Sequence, residues 1–307
     1  MIKYYKNTRQ QPKLKQIPSY AQYAWIHVQN PSEKEVQELS KLLHITDEVL
    51  YDALDEHELP RLKYYGSNLV LIVRVPHSNN GNISTLPLTI ILNDKAITTI
   101  STKKLDLFES IIKHKIPVIT TQQSQFLIQV GLRIVEDYQK EIAVINKRVQ
   151  REKKKFVTAT QQEVLRMVST EEILNDYIAA LSPTIHVFKK LLHGNYIDIY
   201  DEDKVLIDDL LIDGEQVQQT STTNLKTIRN IRDGYTTVLS IKQNQILKLL
   251  TYITAIFTLP MVIASVYGMN VSLPLQNNPF AFMIILSITV LSMIGAVIVF
   301  TFMRKRL

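Results

Sequence analysis

The chain has 307 residues, of which 46% are apolar and 21% charged, with a net charge of +6 and no cysteine. That length holds two soluble domains, or one domain and a membrane part. The missing thiols exclude disulfides and thiolate metal sites. The modest positive charge, with no RNA- or DNA-binding motif beside it, speaks for solubility and against nucleic acid as a partner.

The start, "MIKYYKNTRQQPKLKQ", lacks the apolar core of a signal peptide, so the N-terminus is expected in the cytosol. Residues 1–120 are expected to form a cytosolic α/β domain, compact over 20–118. "YAWIHVQ" (23–29) has strand composition, and Ser32 with Glu35 makes a capping box that opens a helix toward Leu43. "NLVLIVRVP" (68–76) and "LPLTIILN" (86–93) are β-branched strand runs with a turn around "HSNNG" between them. Asn93-Asp94-Lys95 signals another turn before "AITTIST".

From about Ser124 the period changes. Phe126, Leu127, Val130, Ile134, Tyr138, Ile142, Ile145 and Val149 recur mostly at spacings of three and four, which predicts a helix. After the basic tip "KRVQREKKK", a second helical stretch runs through Val164, Leu165, Val168, Ile173 and Tyr177, so 121–202 is expected as a cytosolic helical hairpin. The tip reads as a solvated surface, with attraction to anionic lipid as the alternative.

Residues 203–248 are expected as a stalk helix that continues into the first of two apolar runs. "LLTYITAIFTLPMVIASVY" (249–267) has 19 residues without a charge, and "PFAFMIILSITVLSMIGAVIVFTFM" (279–303) has 25. Each reaches the ~20 residues that cross a bilayer. Pro260 bends such a helix without ending it. A helix from 203 to 266 is about 95 Å long and cannot bury its apolar stripe alone, which predicts self-association. Lys242 and Lys248 precede the first span, and Arg304, Lys305 and Arg306 in the basic tail (304–307) follow the second, while the loop 268–278 is uncharged. The positive-inside rule then puts both termini in the cytosol of a multi-pass protein and the loop outside.

One face of the long helix is polar. Stepping by four and three from Asp233 gives Thr237, Ser240, Asn244, Leu247, Thr251, Thr254, Thr258, Met261 and Ser265. Hydroxyls in a membrane helix often bond back to the carbonyl four residues earlier, which accounts for one or two of these. A face this long is read as the lining of a water-filled path through a symmetric bundle. Leu247 and the adjoining Leu250 are read as a hydrophobic narrowing, or as plain coiled-coil packing; the two are compatible.

Tyr267-Gly268-Met269-Asn270, at the end of the first span, resembles the signature of the CorA magnesium transporters. "LTYITAIFTLPMVIASVYGMN" is similar to that family's first span, and "WIHVQNPSEKEVQEL…ITDEVLYDALDEHELPRL" to its N-terminal domain. The resemblance covers essentially the whole chain in family order. It implies a funnel-shaped homopentamer in a plasma membrane, a bacterial one by default, with five first spans around the pore. It implies a selectivity filter of Gly268, Met269 and Asn270, with the Asn270 amides ringing the outer mouth. A filter of neutral oxygens suits Mg2+, which gives up its water reluctantly. Gly268 lets the backbone turn there without a Cβ clash.

The resemblance also implies a regulatory Mg2+ between neighbouring subunits, on Asp52 in "LYDAL" and Asp209 in "LIDDL", in addition to the Mg2+ that is transported. Two features depart from many relatives: Tyr51 stands where some have a second carboxylate, and the loop "VSLPLQNNP" has no acid. The expected activity is Mg2+ uptake, with Co2+ as a passenger and with feedback gating by cytosolic Mg2+. The rivals are a Zn2+, Ni2+ or Co2+ transporter of the same fold and a non-conducting scaffold or sensor. An enzyme has little support: the histidines show no paired metal spacing and the glycines no phosphate-binding loop.

Overall fold

A computed structural model of the chain describes residues 1–79, 82–113, 115–155, 161–194, 196–275 and 277–306. Seven strands form one sheet: β1 (Ile2–Thr8), β2 (Gln11–Ile17), β3 (Ala24–Gln29), β4 (Arg61–Tyr65), β5 (Asn68–Asn79), β6 (Asn82–Asn93) and β7 (Ala96–Ser101). Their order is β2-β1-β3-β7-β6-β5-β4. Every pair is antiparallel except the central one, β3 with β7. The β5–β6 connection expected at "HSNNG" has its tip at 80–81, outside the described residues.

Period-two alternation sorts the strands between two cores. On β5, Leu69, Leu71, Val73 and Val75 join Trp25, Phe108 and Phe126, whereas Val70 and Ile72 join the second cluster. That second face is covered by α1 (Glu33–Leu43) and α2 (Asp47–Asp52) through Val36, Leu39, Leu43, Val49 and Leu50. The expected capping box opens α1. Ser32 Oγ accepts from the Glu35 amide at 3.4 Å, and Glu35 Oε2 accepts from the Ser32 amide at 2.8 Å, an arrangement whose loss costs about 1 kcal/mol. Asn93 makes the β6–β7 turn, its Oδ1 accepting from the amides of Lys95 at 3.0 Å and Ala96 at 2.8 Å.

The other face carries α3 (Asp106–Ile112), α4 (Gln123–Lys155) and α5 (Gln161–His193). All eight apolar positions expected on α4 are buried. On α5 the helix is as expected but its buried stripe is not: Met167, Thr170, Leu174, Tyr177 and Leu181 face inward, while Leu165 and Val168 are exposed. Thr170 hides this register in the sequence. Its hydroxyl donates to the Arg166 carbonyl at 2.8 Å, so a polar residue enters the core already satisfied. Tyr138 and Tyr177 meet edge-on at 5.4 Å, joining α4 to α5.

Helix α6 (Lys204–Tyr267) follows a short 3-10 turn, and α7 (Ala281–Arg306) ends the chain. The long continuous helix predicted from 203 is therefore present, and it continues through Pro260, which leaves the Ile256 carbonyl without its helical donor. Two compact units divide this helix: Met1–Arg232, and a second beginning at Asp233. In the first unit Ile207, Leu210, Val217 and Ile228 of α6 belong to the same core as α4 and α5. Glu171 of α5, whose side chain is only 13% exposed, accepts from Arg229 Nε at 2.7 Å and from Arg232 on its other oxygen. The β1–β2 hairpin is not apparent from the sequence. Its edge strand β2 buries only Leu14 and alternates it with lysines, a pattern that protects a sheet edge but carries little hydrophobic signal.

Candidate ion path and cation sites

In the second unit, α6 and α7 touch through Tyr252 and Phe300, whose rings lie 4.8 Å apart. Along α6, Tyr252, Ala255, Ile256, Pro260 and Ile263 are half-buried, and at 3.6 residues per turn they share the side of the helix on which Tyr252 meets α7. At 3.6 residues per turn Tyr252 lies about 200° around the helix from Thr254. The polar face is thus turned away from α7. Thr251, Thr254, Thr258, Met261 and Ser265 are all exposed in the single chain, as are Asp233, Thr237, Ser240, Asn244, Leu247 and Leu250 below them. Leu247 and Leu250, 58% and 57% exposed, are uncovered apolar side chains on or beside that face.

The hydroxyls bond back to the helix far more often than the one or two cases expected. Thr237 donates to the Asp233 carbonyl at 3.0 Å, Ser240 to Thr236 at 3.0 Å, Thr251 to Leu247 at 2.9 Å, Thr254 to Leu250 at 2.9 Å and Thr258 to Thr254 at 2.8 Å. Back-bonding and path-lining do not exclude each other. A hydroxyl has one proton and two lone pairs. With its proton committed to the backbone, it turns only acceptor capacity outward. That polarity suits water molecules whose oxygens point at a cation and whose protons point away from it.

At the end of α6 the Gly268 amide donates to the Ala264 carbonyl at 2.9 Å and the Met269 amide to Val266 at 3.3 Å, which tightens the last turn. A Cβ on Gly268 would lie 3.2 Å from the Ala264 oxygen, closer than side chains ordinarily approach. The glycine therefore serves the close approach of backbone to backbone, and its φ is not left-handed. Asn270 stands exposed two residues beyond.

The two expected regulatory aspartates sit on different elements of the first unit, Asp52 at the last position of α2 and Asp209 in the second turn of α6, exposed. Among the described residues, no three acidic or histidine side chains gather as one metal-binding group. Both are hard oxygen donors of the kind Mg2+ takes. Asp52, however, already faces a cation: its Oδ2 accepts from Arg61 Nη2 at 2.7 Å. The same guanidinium donates through Nη1 to Glu58, whose side chain is 15% exposed. Burial works against the Arg61 charge, but the bond from Asp52 and the charge of Glu58 outweigh it and hold the guanidinium above its usual range. Sequence reasoning missed this triad. The signal was only Glu58 and Arg61 three apart in "EHELPRL", and nothing in it shows β4 returning beside the end of α2.

An α/β domain, a 64-residue helix with an apolar end and a second apolar helix after it define a class, that of membrane proteins with two C-terminal spans. Within it the chain belongs to the family described as CorA-like Mg2+ transporter protein, which matches residues 20–306. This is a family of transporters and not of enzymes. The chain is 28% identical, over 319 residues, to the cobalt/magnesium transport protein CorA of Methanocaldococcus jannaschii, covering 96% of this chain and 94% of that one. It is 23% identical to the magnesium transport protein CorA of Helicobacter pylori strain J99, covering 90% and 88%. The solved complete structure of the CorA magnesium transporter from M. jannaschii superposes with a TM-score of 0.82 at 23% identity, over 100% of this chain and 98% of that one. The expected fold of one chain, an α/β domain with a long stalk helix and two C-terminal apolar helices, is the fold of that structure.

Proposed function

We propose that the chain assembles as a homopentamer in a plasma membrane and conducts Mg2+ into the cell, with Co2+ as a second ion. The family match over 20–306 carries this reading. The polar face of α6 supports it, since α7 leaves that face uncovered and five similar faces would enclose a path of hydroxyl acceptors. In this reading Asn270 is the filter at the outer mouth, bonding the hydration shell through neutral amides. Gly268 and Met269 hold it there, Leu247 and Leu250 form the narrowing, and both chain ends lie in the cytosol. The domain limits follow: the cytosolic part is 1–248, the spans are 249–267 and 279–303, and 268–278 is the outer loop.

Feedback enters through Asp52 of one subunit and Asp209 of its neighbour, which share a Mg2+ when the cell is replete. Loss of that ion leaves facing carboxylates that repel and loosen the ring. The test is ion uptake into proteoliposomes holding the purified protein, with Mg2+, Co2+, Ni2+ and Zn2+ supplied in turn. Mg2+ flux driven by an inside-negative potential is the result expected. Flux of Zn2+, Ni2+ or Co2+ without Mg2+ would select the rival transporter, and no flux of any ion the scaffold.

A further inference from the structure

The Asp52–Arg61–Glu58 triad has an asymmetry that bears on how the cytosolic site fills. Asp52 is half-exposed at the end of α2, with a side chain 41% exposed, whereas Glu58 is mostly buried at 15%. Arg61 sits between them on β4 and bonds both. Two carboxylates share one guanidinium, so the triad carries one net negative charge. If Asp52 were taken by another cation, Arg61 would not be stranded, because Glu58 keeps it paired in the less exposed position. That matters: breaking a buried ion pair outright is strongly unfavourable, while handing one partner over is not.

We propose that Arg61 is an internal counter-ion that competes with Mg2+ for Asp52, and so sets the Mg2+ concentration at which the cytosolic site fills. The inference rests on the reading of Asp52 as a ligand of that site. When Mg2+ is scarce, Arg61 occupies Asp52 and weakens the repulsion between Asp52 and the Asp209 of a neighbour. When Mg2+ is abundant, the divalent ion takes Asp52 and Arg61 falls back on Glu58. The guanidinium suits this role because its fork can hold two carboxylates at once and it never loses its charge. Tyr51 adds to the effect, since no second carboxylate stands beside Asp52 to outbid the arginine.

The experiment is a Mg2+ titration of protection against chymotrypsin, on the full chain in detergent, with the midpoint of protection as the readout. Chymotrypsin is used because it does not cut at arginine. Arg61→Gln should move the midpoint to lower Mg2+ by about tenfold, the effect of removing one positive charge beside a divalent ion. Glu58→Gln should move it the other way, because Arg61 then has only Asp52. In the Arg61→Gln background, Glu58→Gln should leave the midpoint where the first change put it.

A general loosening of the segment between α2 and β4 would shift both single variants in the same direction, and that result would overturn the proposal. So would an unchanged or higher midpoint for Arg61→Gln. If that variant does not assemble, Glu58→Gln alone decides: a midpoint unchanged or lowered rejects the competition. Asp52→Asn separates this inference from the reading beneath it. Loss of the Mg2+ response in Asp52→Asn with no shift in Arg61→Gln rejects only the counter-ion. A Mg2+ response that survives Asp52→Asn rejects the site itself.

Discussion

The Thr254 hydroxyl donates to the Leu250 carbonyl at 2.9 Å, on the side of α6 that α7 leaves open. This fixes the direction of the hydroxyl proton and leaves its lone pairs facing outward. Thr254→Val keeps the shape and removes one acceptor. Losing one hydrogen bond to a passing hydrated ion should lower Mg2+ uptake roughly two- to tenfold, with assembly unchanged. Thr254→Ser should retain wild-type flux. Equal flux in all three proteins would show that Thr254 does not line the path.

Asn270 offers the stronger perturbation. Asn270→Ala should abolish Mg2+ uptake in proteoliposomes while gel filtration still reports the wild-type assembly. Uptake at the wild-type rate in an assembled Asn270→Ala protein would remove the filter from Asn270.

At the narrowing, Leu247→Ser replaces an uncovered apolar side chain by a hydroxyl. If Leu247 closes the path by excluding water, the variant should leak at a Mg2+ concentration that closes the wild type. A closed-state leak equal to wild type would leave Leu247 with a packing role only.

The cytosolic site can be tested with a fixed charge. Asp209→Lys places an ammonium where the shared Mg2+ is proposed, able to pair with Asp52 of a neighbour. The variant should keep its resistance to chymotrypsin in EDTA, whereas the wild type should lose it. Equal loss in both would count against Asp52 and Asp209 as the sensor.

Stability should depend on pH through His27. The residue is 8% exposed, and its ring packs against Trp25 and Phe108 and places Nδ1 3.1 Å from Thr99 Oγ1. Burial, with smaller contributions from Lys3 and the N-terminal amine, pushes its pKa down to about 4. The unfolded chain then binds a proton below about pH 6.5 that the folded chain refuses until about pH 4. Stability is therefore lost as pH falls through that window, by about 3 kcal/mol from this group. Trp25 is the only tryptophan and lies in the same core, so its fluorescence follows the unfolding directly. In urea titrations from pH 7 to pH 4.5, His27→Gln should lose less stability than wild type. Parallel curves would mean that His27 is not the group responsible.

The sequence made the strong periodicities legible. The eight α4 positions, the Ser32–Glu35 box, the Asn93 turn and the continuity of α6 were each written in local residue order. What it concealed was decided across the chain. The inward register of α5 depends on Thr170 satisfying itself on Arg166, and a hydropathy pattern treats threonine as polar. Arg61 reaches Asp52 only because β4 returns beside α2. Thr251, Thr254 and Thr258 were recognised as a face, but which side α7 covers is a property of helix pairing and has no local signature.

The parallel β3–β7 pair at the centre of the sheet has a consequence for the order in which the molecule is made. Ala24 pairs with Ala96, whereas β5 and β6 are close neighbours joined by a hairpin. The central seam must therefore wait for roughly seventy residues to be synthesised, while the hairpins on either side can close as they emerge. Until β7 arrives, β3 shows an open edge, rich in Trp25, Ile26 and Val28. The nascent chain is then at its most exposed to wrong partners, well before either membrane helix has left the ribosome.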